Sequence, residues 1–224
     1  MRQNSDLEHD TANMEGSSNN KKVIVITGSI GTGKSAAVNI LKNLGFTVLD
    51  SDKIVHEGYN KGTELYKKLV DLFGEDILDE SGSVDRQVLG RIVFSDEKKL
   101  EALNELVHKY VRLVLEKGVS DCGDEVVFLD IPVILESIAR GESFKLKYDE
   151  IWLVYVSEKT QRKRLEKRAL VEGKNPEDVL KIIDRQIPID QKVSVADEVI
   201  DNEGTLEDLE KNIVKLLTIK GIRW

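Results

Sequence analysis

The 224-residue sequence predicts an α/β fold: a five-stranded parallel sheet flanked by helices. Two observations carry that prediction. Five short, largely apolar runs, at residues 23–27, 46–49, 126–129, 151–156 and 199–200, are separated by longer stretches with helical spacing. The runs are also nearly continuous rather than alternating, as expected for strands covered on both faces. With 40% hydrophobic residues the chain can bury a full core, and residues 21–224 read as one domain.

The elements follow in order. Residues 1–20 are polar, with almost no large apolar side chains, and read as a disordered tail. The first strand, residues 23–27, is β-branched. The helix after it, residues 35–44, puts Ala37, Ile40, Leu41 and Leu44 on one face, and Gly45 closes it. The second strand, residues 46–49, is expected to lie beside the first and ends on Asp50-Ser51-Asp52. Residues 63–117 are largely helical: Leu65, Leu69 and Leu72 mark one helix closed by Gly74, and the apolar positions from Leu100 to Val114 mark a longer one. The third strand ends on Asp130, and residues 133–139 form a short helix. The fourth strand precedes a basic helical segment at 159–168. Asn175-Pro176-Glu177-Asp178 starts a helix expected to run to about Ile187, before Pro188. A short fifth strand leads to a last helix opened by Thr205, with Leu209, Ile213, Leu216 and Leu217 inward.

Bulk properties narrow the function. A formal net charge of -8 argues against a nucleic-acid or anionic-membrane binder. No apolar run reaches the ~20 residues of a spanning helix. The single cysteine, Cys122, forms no internal disulfide or multi-cysteine metal site, so a cytoplasmic location is expected. Nothing in the composition implies a protein partner.

The strongest local signal is Gly28-Ser29-Ile30-Gly31-Thr32-Gly33-Lys34-Ser35, which fits G-x-x-x-x-G-K-[ST] between a strand and a helix. This is the P-loop pattern of nucleotide-binding folds. Its glycines let the backbone wrap a phosphate, and the amides of Gly31, Thr32, Gly33, Lys34, Ser35 and Ala36 gather at a helix N-terminus, where anions are favoured. Lys34 suits the β- and γ-phosphates of ATP, and Ser35 can offer its hydroxyl to Mg²⁺. Asp50-Ser51-Asp52 brings a carboxylate to the strand ends, where it can orient or deprotonate an attacking hydroxyl or hold a magnesium-bound water; one of the two caps the next helix. Val126-Val127-Phe128-Leu129-Asp130 has the Walker B shape, whose aspartate serves the magnesium site. The basic segment at 159–168 is either a solvated helix face or a lid. In a lid, Arg164 and Arg168, four apart, would reach the transferred phosphoryl group.

Together these blocks resemble the dephospho-coenzyme A kinase family. Residues 27–35 are similar to its TGGIGSGKS, Asp50-Ser51-Asp52 with His56-Glu57 to its DAD…AHE block, and Asp85-Arg86 through Val93-Phe94 to DRxxLgxiVF. Leu129-Asp130-Ile131-Pro132 through Glu136 is similar to LDIPLLFE, and Ala196-Asp197 through Asp201-Asn202 to ADxVIDN. Ser29 stands where the pattern has a second glycine, Ala36 where it has threonine, and Lys109 where it has proline. The resemblance implies a P-loop, nucleotide-kinase-like fold and phosphorylation of the ribose 3′-hydroxyl of dephospho-CoA by ATP with Mg²⁺. It implies Asp52 as base, a coenzyme A-binding part at about 63–117, Arg112 holding the substrate, and Arg164 and Arg168 in a lid at about 159–187. The alternatives are another small-molecule P-loop kinase, such as a nucleoside or nucleotide monophosphate kinase, and a non-catalytic nucleotide-binding protein. A GTPase-like switch fails because Asn60-Lys61-Gly62-Thr63 lacks the final aspartate of N-K-x-D.

Overall fold

The computed structural model describes residues 21–141, 146–184 and 186–224; the tail expected over residues 1–20 lies outside the described residues. Five parallel strands form one sheet: β1 (Lys22–Thr27), β2 (Thr47–Asp50), β3 (Val126–Asp130), β4 (Glu150–Tyr155) and β5 (Glu198–Asp201), in the order β2-β3-β1-β4-β5. The helices are α1 (Lys34–Asn43), α2 (Ser51–Gly58), α3 (Glu64–Phe73), α4 (Arg86–Phe94) and α5 (Glu97–Asp121), followed by α6 (Ile134–Ala139). The remainder are α7 (Glu158–Val171), α8 (Pro176–Asp184), α9 (Ile189–Val193) and α10 (Leu206–Ile219).

Successive strand residues face opposite sides of the sheet, and the two cores show it. Ile24, Ile26, Phe128, Trp152, Val154 and Ile200 pack with α1 and α10. Val23, Val25, Val127, Leu129, Ile151 and Leu153 pack on the other face with Val111 and Leu115 of α5. A third cluster, Leu65, Leu69, Ile77, Leu89 and Val93, lies within the helical stretch between β2 and β3.

The expected punctuation is present. Gly45 and Gly74 adopt positive φ after α1 and α3, Asn175 Oδ1 accepts from the Glu177 amide at 3.1 Å, and Thr205 forms a reciprocal capping box with Asp208. Two expectations need correction. β2 does not lie beside β1: it pairs with β3, which pairs with β1. The physical reason is burial. β3 is buried along nearly all its length and takes neighbours on both sides, whereas the four residues of β2 are only half-buried, as an edge strand is. The helix after Asn175 stops at Asp184 rather than near Ile187, and a separate short helix begins right after Pro188. Proline has no amide to continue a helix but is well placed to start one.

At the N-terminal edge of the sheet Glu150 ties four elements together. Lys22 of β1 lies at 2.7 Å and Lys220, beyond α10, at 3.1 Å. The Trp152 indole donates at 2.8 Å, and Lys220 also reaches Glu198 of β5 at 2.5 Å. Desolvation pushes the Glu150 carboxyl up, but hydrogen bonds from Lys22, Trp152 and Lys220 outweigh it and hold it down at about 2. Because the folded value lies below the ordinary 4.5, its stabilisation is complete above that pH and is lost as pH falls toward about 2. Glu150→Gln should lower stability at pH 7 by about 1–2 kcal/mol, a Tm drop of roughly 3–6 °C. The gap between variant and native protein should narrow steadily when calorimetry is repeated from pH 5 down to pH 3; a constant gap would contradict the assignment.

A cavity of about 800 Å³ opens at this same edge, lined by Lys22, Phe46, Val126, Lys220, Arg223 and Trp224 among others. It lies at the opposite end of the strands from the glycine-rich loop.

Candidate active site

β1 ends at Thr27, and residues 28–33 turn the chain into α1. The turn requires glycine at two places. Gly31 has φ +81, and a Cβ there would lie 2.9 Å from Leu165 Cγ. Gly33 has φ +88, and its Cβ would lie 2.2 Å from Asn202 Nδ2. Inside the loop, the Thr32 amide donates to Ser29 O at 3.2 Å and its hydroxyl to the same oxygen at 2.8 Å. Ser29 is buried, and its hydroxyl has no hydrogen-bond partner among the described residues.

α1 begins differently from most helices in the molecule. α2, α3, α4, α5, α7 and α10 each start with an Asp, Ser or Thr side chain accepting an early amide. α1 has no side-chain cap and no acidic residue in its first turn. The first amides of a helix have no intrahelical acceptor, so those of Lys34 and Ser35 are available to an anion. The Ala36 amide is not: it donates to Gly33 O at 2.9 Å. Of the six amides expected to gather on phosphate, those of Thr32 and Ala36 therefore serve the loop and the helix instead.

The carboxylates arrive from two other strands. β3 delivers Asp130, which is 5% exposed, and the Lys34 ammonium pairs with its Oδ1. In the β2–β3 ladder Asp50 stands directly opposite Asp130. Asp50 caps α2, accepting from the Lys53 amide at 2.9 Å. Asp52 sits in the first turn of α2, two residues past the cap. Burial first, and then repulsion from Asp50, push the Asp52 carboxyl above the ordinary aspartate value, with Lys34 pulling the other way. Asp130 is also raised, chiefly by burial, despite the hydrogen bond and charge of Lys34; Asp50 and Asp52 add to the rise. One ammonium thus faces three carboxylates at the C-terminal edge of the sheet.

The remaining candidates lie in varied places. Arg164 is turned onto the loop: Nη2 donates to Asn202 O at 2.8 Å and Nη1 to Thr32 O at 3.4 Å. Arg168, a turn further along α7, donates from Nε to Glu172 at 2.6 Å on the surface. Arg112 lies on α5, 4.0 Å from Glu116 of the same helix. Two residues to which the sequence attached no role also reach the loop. Asn202 Nδ2 donates to Thr32 O at 2.7 Å, and Gln161 Nε2 to Ile30 O at 2.7 Å. The signals for Asn202 were its place in the ADxVIDN-like block and its position, a polar residue just past the last strand.

Oxygen donors suited to Mg²⁺ are present in the Ser35 hydroxyl and the Asp130 carboxylate. Among the described residues no group of three or more His, Cys, Asp or Glu is set to hold a metal alone. Mg²⁺ bound chiefly through substrate phosphates asks for only one or two protein ligands, so the donor set fits.

A glycine-rich turn opening an uncapped helix, a lysine within it and aspartates on neighbouring strand ends define the P-loop kinase class. The sequence comparisons narrow the class: a profile of the dephospho-CoA kinase family matches residues 22–208. The chain is 39% identical over 198 residues to the dephospho-CoA kinase of Carboxydothermus hydrogenoformans, covering 87% of this chain and 92% of that one. To the dephospho-CoA kinase of Aquifex aeolicus it is 38% identical over 196 residues, covering 87% and 95%. Among solved structures it is similar to TT1252 from Thermus thermophilus (TM-score 0.71, 33% identity, 89% and 97% covered). It is also similar to the dephospho-CoA kinase from Campylobacter jejuni (TM-score 0.62, 26% identity, 90% and 98% covered). The chain belongs to the dephospho-CoA kinase family.

Proposed function

We propose that this protein transfers the γ-phosphoryl group of ATP to the ribose 3′-hydroxyl of dephospho-CoA, giving CoA and ADP. The observation that carries the reading is the meeting of Asp52 with Lys34 and Asp130 beside the glycine-rich loop, in a chain of this family. The loop from Gly28 to Ala36 cradles the phosphates. Lys34 leaves Asp130 to share its charge with the β- and γ-phosphates, where negative charge shifts during transfer. Asp52 orients the acceptor hydroxyl and takes its proton as the new O–P bond forms and the bond to ADP breaks; its raised affinity for a proton suits that task. Ser35 and Asp130 would hold Mg²⁺, which when bound neutralises phosphate charge.

The helical part at about 63–117, with its own apolar cluster, receives the coenzyme A portion, with Arg112 contributing to its grip. Residues from about 159 to 187 form the lid region, in which Arg164 and Arg168 supply positive charge; closure excludes water and favours transfer over hydrolysis. No described helix is long and apolar enough to cross a membrane, and we assign the reaction to the cytoplasm.

The test is an acceptor panel. Purified protein with ATP and Mg²⁺ should consume ATP rapidly only with dephospho-CoA, with the product phosphorylated at the 3′-hydroxyl. Equal or faster turnover with a nucleoside monophosphate would overturn the acceptor assignment, and nucleotide binding without turnover on any acceptor would overturn catalysis.

A further inference from the structure

A phosphate-binding loop turns amides inward, which leaves carbonyls facing out. Two of these, Ile30 O and Thr32 O, are held by side chains from distant parts of the chain. Gln161, buried in the first turn of α7, donates to Ile30 O at 2.7 Å, while the Ile30 amide donates to Gln186 Oε1 at 3.0 Å. Asn202, also buried, donates to Thr32 O at 2.7 Å. The Asn202 amide in turn donates to Tyr155 O at 2.9 Å, extending the β4–β5 ladder, so the sheet itself sets where this donor stands. Arg164 braces the arrangement through the Asn202 and Thr32 carbonyls.

These contacts matter because the loop is weakly self-restrained. Gly33, at φ +88, has no side chain to resist rotation of the peptide that joins it to Thr32. That rotation would carry the Gly33 amide out of the site. A donor fixed on Thr32 O opposes it, and the 2.2 Å approach of Asn202 Nδ2 to a Gly33 Cβ position shows how closely the side chain covers the backbone.

We propose that Asn202 and Gln161 are positioning residues for nucleotide binding: they hold the curvature of the phosphate loop from outside, through Thr32 O and Ile30 O. The inference rests on the reading of this site as an ATP site. It also assigns the first turns of α7, through Leu165 packed against Gly31, to the support of the phosphate loop.

The experiment is Asn202→Asp, which keeps the size but faces Thr32 O with an acceptor in place of a donor. ADP affinity by calorimetry should weaken about tenfold or more, and KM for ATP should rise in step. KM for dephospho-CoA should stay within about twofold, and circular dichroism should show a native fold. A merely structural role would lower Tm while the folded protein bound ADP as tightly as before, and that result overturns the proposal. Should Asn202→Asp fail to fold, Gln161→Met, near the native volume, carries the same test on Ile30 O: weakened ADP binding supports the proposal and unchanged binding overturns it. ADP binding does not depend on the acceptor. Inactivity of the native protein toward dephospho-CoA would therefore refute the acceptor while leaving this result readable.

Discussion

Asp52→Asn is expected to lower kcat by about 10²–10⁴-fold, the range for a positioned acid–base group, with ATP binding largely retained. The substitution keeps the shape and one acceptor oxygen and removes only the charge. In a loose transition state little proton has moved, so part of the loss reflects poorer orientation of the hydroxyl. Stability should not suffer. The folded state raises the Asp52 pKa through burial and Asp50 repulsion. Its ionised form therefore costs stability above that raised value, and the amide removes the cost. Tm should hold or rise. Asp50→Asn should show a milder loss of turnover with little change in Tm, because asparagine keeps the Oδ1 that caps α2. The measurement is steady-state kinetics with melting curves on both variants. Abolished transfer in a folded Asp50→Asn protein, with Asp52→Asn spared, would reverse the two roles.

Lys34→Ala is expected to lower kcat at least about a hundredfold, or about 2.7 kcal/mol, because the ammonium stabilises the transferring phosphoryl group more in the transition state than in the ground state. The same change leaves Asp130 buried beside Asp50 and Asp52 without its cation. Asp130 should then bind a proton more readily, and Tm should fall modestly while the fold survives. Adding Asp130→Asn to Lys34→Ala should recover most of the lost Tm and none of the lost turnover. Near-native turnover in Lys34→Ala would show that the loop does not hold the reacting phosphate.

The parts of this site that could be read along the chain are those fixed by local spacing. A strand, five intervening residues, Gly-Lys-Ser and a helix form one continuous piece, so the loop and Lys34 were legible. The same holds for Asp130 at the end of β3 and for the helix cap supplied by one of the two aspartates, since capping is a matter of residues three apart. Strand order was not legible. Whether β2 or β3 lies beside β1 depends on crossovers through helices, and nothing within residues 46–52 encodes it. The correction has chemical content: the aspartate pair reaches the loop by way of β3, with Asp50 in register with Asp130. Asn202 and Gln161 were illegible as loop supports for a similar reason. Each meets the loop only after some 130 to 170 residues of intervening chain have folded. Arg164 shows the limit of reading charge: a basic run predicts cations in solvent or on phosphate, and only packing shows its fork directed at two carbonyls.

The polarity of the sheet bears on how this protein can be watched by spectroscopy. Its two tryptophans report from different places: Trp224 from the rim remote from phosphate, and Trp152 from within the sheet, in register with Ile26, two residues before the glycine-rich loop. Trp224 is half-exposed on the far cavity, and Trp152 is fully buried with its indole N–H directed to Glu150. The six residues of β1 separate the Trp224 rim from the loop by roughly 20 Å. Trp152 emission is therefore a gauge of whether the sheet is assembled, sensitive to acid through Glu150, while Trp224 watches the rim that nucleotide does not touch.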